Sequence, residues 1–159
     1  MTTSTVVIGI GNDFRGDDAA GRLAARRLAE HGPGDAIIHE STGEALSLIE
    51  LWGGADRVIL IDAAAGLPPG DVQRYDARAE ALPAGRFSTS SHAFSLAEAI
   101  DLARTLDQLP PGIVVYAIGG AAFDLGAELS PEAERGCEEA IARILEELAP
   151  HPPQSPVTP

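Results

Sequence analysis

A chain of 159 residues, 45% hydrophobic and 22% charged, has the length of one domain and the balance of an ordinary soluble globular protein. Its formal net charge is −13 and all 11 basic residues are arginine, which argues against nucleic-acid or anionic-membrane binding, since either needs a basic footprint. A single cysteine, Cys137, excludes an internal disulfide framework and a thiolate zinc cage.

Apolar β-rich runs alternate with amphipathic helical stretches, the pattern of a largely parallel sheet flanked by helices. TVVIGI, Thr5–Ile10, reads as the first strand. A helix is predicted over about 17–29, with Leu23 and Leu28 on its inner face. Residues 36–39 form a second short strand ending at Glu40, and 44–52 a helix that turns Leu48, Leu51 and Trp52 inward. The unbroken apolar run RVILIDA at 57–63 marks a central strand covered on both faces. VQRYD, Val72–Asp76, alternates as an edge or antiparallel strand does. A helix over 94–106 and a buried strand at Gly112–Gly119 follow. The last helix opens with Ser130 as N-cap and Pro131 in the first helical position, and runs to about Leu148. Cys137 lies within it beside Glu138 and Glu139, a setting for a packed side chain rather than a nucleophile. Residues 1–149 are expected to form a single domain, and the proline-rich tail at 150–159 to be disordered. No stretch approaches the ~20 apolar residues of a membrane span, and the N-terminus lacks a basic leader, so a cytoplasmic location is expected.

The turn GIGNDFRGDDAAG at 9–21 carries the first chemical signal. A dinucleotide fingerprint requires a third glycine at position 14, where Phe14 stands, and the chain has no lysine for a phosphate-binding loop. Glu40 offers a ribose-binding acid, yet Asp17 and Asp18 at a helix start repel a pyrophosphate. Helix N-capping accounts for one aspartate, whereas two ionised carboxylates at the carboxyl edge of a strand invite a cation.

Two further residues converge on that edge. Asp62 ends the strand RVILID, and His92 lies in the loop FSTSSHAF. Taken singly, Asp62 suits a turn cap and His92 a helix cap or a solvent-exposed position. Taken together, Asp18, Asp62 and His92 follow different strands and face one crevice at the strands' carboxyl ends. Two oxygen ligands and one nitrogen ligand with open positions suit a hydrolytic divalent metal, and histidine also suits nickel. His31 and His39 have less persuasive contexts, and His151 lies in the tail. No Gly-x-Ser-x-Gly occurs, and Ser90 and Ser91 beside His92 do not make a triad.

The motif Gly9-Ile10-Gly11-Asn12, followed by Asp17-Asp18 and Gly21, resembles the N-terminal signature of the hydrogenase maturation endopeptidases. Ser41-Thr42-Gly43-Glu44, ILIDAA, SSHAF and GAELSPE agree in the same order, up to about Leu148. The resemblance implies a nickel-dependent endopeptidase that removes a C-terminal extension from the large-subunit precursor of a nickel–iron hydrogenase after nickel insertion. It implies a three-layer α/β/α sandwich with a five-stranded, mostly parallel twisted sheet. The family's metal positions fall on Asp18, Asp62 and His92, which are also the expected catalytic residues, with Asp17 as a second-shell or base candidate and an N-cap as its other role. The nickel is expected to come from the substrate's unfinished active site, with another divalent metal as an in vitro substitute. The partner is the precursor, with no nucleic acid or membrane, and a monomer is expected. A nickel-dependent escort protein that binds the precursor without cutting it would use the same ligands. Gly16 stands where many members carry Thr or Ser, adding flexibility before the acids, and 77–87 does not align with the family pattern. Gly43 and Gly119 fit either close approach of a substrate backbone or plain turn geometry.

Overall fold

The computed structural model describes residues 4–83 and 96–149. Among these, five strands form one sheet: β1 (Thr5–Ile10), β2 (Ile37–Ser41), β3 (Arg57–Ala64), β4 (Val72–Asp76) and β5 (Gly112–Gly119), in the order β2-β1-β3-β5-β4. The pairings of β1 with β2, β1 with β3, and β3 with β5 are parallel, and β4 closes the far edge antiparallel to β5. The alternating pattern of Val72–Asp76 thus belongs to a strand that is both edge and antiparallel. The fold is the expected α/β/α sandwich with a five-stranded, mostly parallel sheet.

Side-chain alternation along the central strands divides the apolar residues between two layers. Val6, Ile8, Val58, Leu60, Ile113 and Val115 face the helices α2 (Ala45–Trp52) and α3 (Leu96–Thr105), where Leu48, Trp52 and Ile100 meet them. Val7, Ile59, Ile61, Tyr116 and Ile118 face α1 (Ala20–Glu30) and α4 (Pro131–Leu148), packing against Leu28, Cys137, Ile141 and Ile144. Cys137 is fully buried and its thiol donates to the Ala20 carbonyl at 3.4 Å. Burial, with Glu134 and Glu138 nearby, pushes its pKa up to about 12, so it is a packed side chain and not a nucleophile.

The strand order creates a switch point. From β1 the chain runs through α1 on one face to β2, then through α2 on the other face to β3, which returns to the opposite side of β1. The two crossovers therefore part between β1 and β3, and a crevice opens at the carboxyl ends of these strands, the usual place for a ligand in an open α/β sheet.

Most predicted elements lie within a residue or two of the observed ones, but the first helix does not begin at Asp17. A 3-10 turn occupies Gly16–Ala19, and the α-helix starts only at Ala20, with Ala19 as an N-cap that makes no side-chain capping bond. Of the sequence expectations, His92, Ser90, Ser91, His151 and the tail at 150–159 lie outside the described residues.

Candidate functional site

Beyond β1 the chain makes a compact turn. Gly11 N–H donates to the Ser41 carbonyl at 3.0 Å, and Asn12 N–H donates to Asp18 Oδ2 at 3.1 Å. The Asn12 side chain accepts the Phe14 N–H at 2.9 Å, so this residue both orients a carboxylate and closes the turn. A Cβ at Gly11 would overlap the Asp18 carbonyl oxygen, which is why the two limbs of the turn approach so closely only with glycine there. At Gly21 a Cβ would collide with the carbonyl oxygens of both Ile10 and Ile61. The first turn of α1 therefore sits directly on the carboxyl ends of β1 and β3, and Asp18 is delivered to the crevice beside Asp62.

Asp18 and Asp62 are each 7% exposed. Burial raises the Asp62 carboxyl well above its ordinary value, and the charge of Asp18 raises it further, against an opposing hydrogen bond from the Ala63 backbone. A buried carboxyl whose ionisation is disfavoured by a second carboxylate beside it is a natural seat for a cation, which offsets the repulsion and accepts both as oxygen ligands. Among the described residues no group of three or more His, Cys, Asp and Glu side chains is arranged to hold a metal ion. Asp18 and Asp62 are thus brought together at the switch point, and His92 lies outside the described residues.

Asp17 does something the local sequence does not announce. It is fully buried, and instead of capping a helix it reaches the segment after β5. Oδ2 accepts the N–H groups of Ala121 at 2.6 Å and Ala122 at 3.1 Å and the Ser130 hydroxyl at 2.7 Å, while Oδ1 accepts the Ser130 N–H at 2.7 Å. Burial alone would raise its pKa, but these bonds from Ser130, Ala121 and Ala122 together hold the carboxyl below its ordinary value. Ser130 accepts the Ala133 N–H at 3.1 Å in turn, so the N-cap of α4 and the acid of the first turn form one linked unit. The N-cap expectation for Asp17 is therefore corrected: its oxygens serve a distant loop.

The glycines of these turns serve the chain's own packing and turn geometry. Gly16 has φ +57 and a Cβ there would overlap the Ala122 carbonyl, so glycine permits close packing rather than adding flexibility. Gly43 has φ +96, which is turn geometry. At Gly119 the closely approaching backbone is the chain's own, since a Cβ would overlap the carbonyl of Pro68. Glu40 accepts from Arg22 Nε at 3.1 Å and pairs with Arg26 at 2.5 Å, so it holds α1 against β2 instead of awaiting a ribose. The linkage of Asp17 to residues 121–130 was missed from sequence, and its only signal was that GAELSPE ends in a strong helix start.

Residues 33–147 match a family model described as hydrogenase maturation protease. The hydrogenase expression/formation protein HupD of Thiocapsa roseopersicina is 27% identical over 148 residues, 91% of this chain and 67% of that protein. The solved [NiFe] hydrogenase maturation protease HybD from Thermococcus kodakarensis superposes with a TM-score of 0.69 at 29% identity, covering 93% of this chain and 100% of that one. The hydrogenase maturating endopeptidase HybD from E. coli has a TM-score of 0.76 at 21% identity over 92% of each chain, a likeness of fold.

Proposed function

The chain belongs to the hydrogenase maturation protease family, and we propose that it is the endopeptidase that removes a C-terminal extension from a nickel–iron hydrogenase large-subunit precursor once nickel is in place. The observation that carries this reading is the pair Asp18 and Asp62, buried together at the switch point where open α/β sheets bind their ligands. In this reading Asp18, Asp62 and His92 bind the nickel carried by the precursor, so that cleavage follows only completed insertion. Nickel so held would polarise the scissile carbonyl or activate a water molecule. The remaining work belongs to the chain itself. Asn12 N–H holds one oxygen of Asp18 in place. Burial at the crevice floor keeps bulk water from screening the pair. Asp17 serves as a positioning residue, because both its oxygens accept hydrogen bonds and its low pKa makes it a weak base.

The test uses full-length precursor, nickel-loaded and nickel-free, incubated with the protein and weighed by mass spectrometry. A C-terminal peptide is expected to leave the nickel-loaded precursor alone, and the Asp18→Ala and His92→Ala variants are expected to process it at least about 100-fold more slowly. An intact precursor held in a stable complex would replace the protease by an escort. Wild-type rates in His92→Ala would remove that residue from the site.

A further inference from the structure

We propose that Asn12 is a further catalytic residue, its side-chain amide donating to the scissile carbonyl oxygen as negative charge develops there, an inference that rests on the proteolytic reading above. Asn12 follows β1 at the carboxyl edge of the sheet and is half-buried, whereas Asp18 and Asp62 are each 7% exposed. Its backbone N–H donates to Asp18 Oδ2 at 3.1 Å. Bond lengths keep the amide nitrogen within about 5 Å of that N–H, so a half-exposed amide borders the buried acid.

The amide is fixed before substrate arrives. Its Oδ1 accepts the Phe14 N–H at 2.9 Å, which decides the orientation of the group: oxygen toward the turn, nitrogen away from it. The nitrogen donates to no group among the described residues, so both its N–H bonds are available to a substrate. A donor held through its own oxygen needs little reorganisation when charge appears beside it.

The neighbouring groups leave this role to Asn12. As cation ligands, Asp18 and Asp62 offer only acceptor atoms. Backbone N–H groups, common oxyanion donors, are largely committed within the turn. Those of Gly11 and Arg15 go to the carbonyls of Ser41 at 3.0 Å and Asn12 at 3.3 Å. Those of Asp17 and Asp18 go to the carbonyls of Ala122 at 2.7 Å and Arg15 at 3.1 Å. Arg15 Nε is drawn to the Phe123 carbonyl at 3.4 Å. In hydrolysis, water bonds to the scissile carbonyl carbon and the π pair moves onto the oxygen. The C–N bond then breaks, the carbonyl re-forms, and one proton of the water leaves on the amine. Charge sits on that oxygen only between these steps, so a donor aimed at it raises kcat more than it tightens substrate binding.

The test measures kcat and KM of wild type, Asn12→Asp and Asn12→Ser on full-length, nickel-loaded precursor. Aspartate keeps an oxygen for the Phe14 N–H but has no amide, and serine does the same without adding charge. Each variant is expected to lose about 100- to 1,000-fold in kcat, with KM changed less than about threefold and a melting midpoint near that of wild type. Wild-type kcat in either variant would overturn the role: a loss in Asn12→Asp alone assigns the effect to the added charge, and one in Asn12→Ser alone to closure of the turn. A loss confined to KM would also overturn it, because that reports binding common to substrate and transition state. A melting midpoint that falls together with kcat in both variants would assign the effect to the structure of the turn instead. Precursor left uncut by wild type removes the proteolytic reading and this role with it, whereas an active variant beside an active wild type removes this role alone.

Discussion

Asp17→Ala would leave the N–H groups of Ala121, Ala122 and Ser130 and the Ser130 hydroxyl without their acceptor in a partly buried position. An unpaired buried donor costs about 1–3 kcal/mol, and water can reach some of these, so destabilisation of about 1–3 kcal/mol in all is expected from urea unfolding. The folded carboxyl titrates below its ordinary value of about 3.9, so its contribution is complete above that value and is lost as pH falls through the folded one. The difference between wild type and Asp17→Ala should therefore shrink in acid. Asp62 has the opposite sign. Its folded pKa is raised by burial and by Asp18, so stability falls as pH rises from about 4 toward the folded value. Asp62→Asn removes that penalty and is expected to raise the melting midpoint at pH 7 by ~2–4 °C, the shift for about 1 kcal/mol, while abolishing processing. One residue of the crevice supports the fold and its neighbour burdens it.

Helix α1 is placed by glycine rather than by a cap. Gly21→Ala would drive a methyl group into the carbonyls of Ile10 and Ile61, lifting the helix start from the sheet. Overpacking of this kind costs about 1–3 kcal/mol, and a larger loss is expected in processing, because Asp18 moves with the helix. Thermal melting and the processing assay on the same variant separate the two effects. The elements that sequence reading placed well are those determined locally. β3 and β5 follow from unbroken apolar runs, and α4 follows from Ser130 and Pro131, which cap and open it as expected. The start of α1 was misplaced because the acid expected to cap it is bonded to residues 121–130, a partner no local window contains. That Asp18 and Asp62 lie near each other was readable from strand ends, since the parallel strands β1, β3 and β5 send their carboxyl ends to one edge. The burial that couples them depends on packing across the sheet and was not readable in advance.

Taken as a whole, the molecule has two apolar layers divided by its sheet. Leu48 lies in the layer of α2 and α3, Leu28 in that of α1 and α4, and both are fully buried. Leu28→Ala and Leu48→Ala are each expected to cost about 2–5 kcal/mol. Because the sheet stands between the two sites, their effects should add to within about 0.3–0.5 kcal/mol in the double variant, measured by urea unfolding.

The Asp17 linkage also bears on when the protein becomes competent during its own synthesis. The partners of Asp17 lie 104, 105 and 113 positions downstream. A nascent chain can build β1, the turn and α1 early, yet the support behind Asp18 arrives only when the segment through Ser130 has left the ribosome. The first turn, though among the earliest segments made, is thus locked only after β5 and the start of α4 are in place.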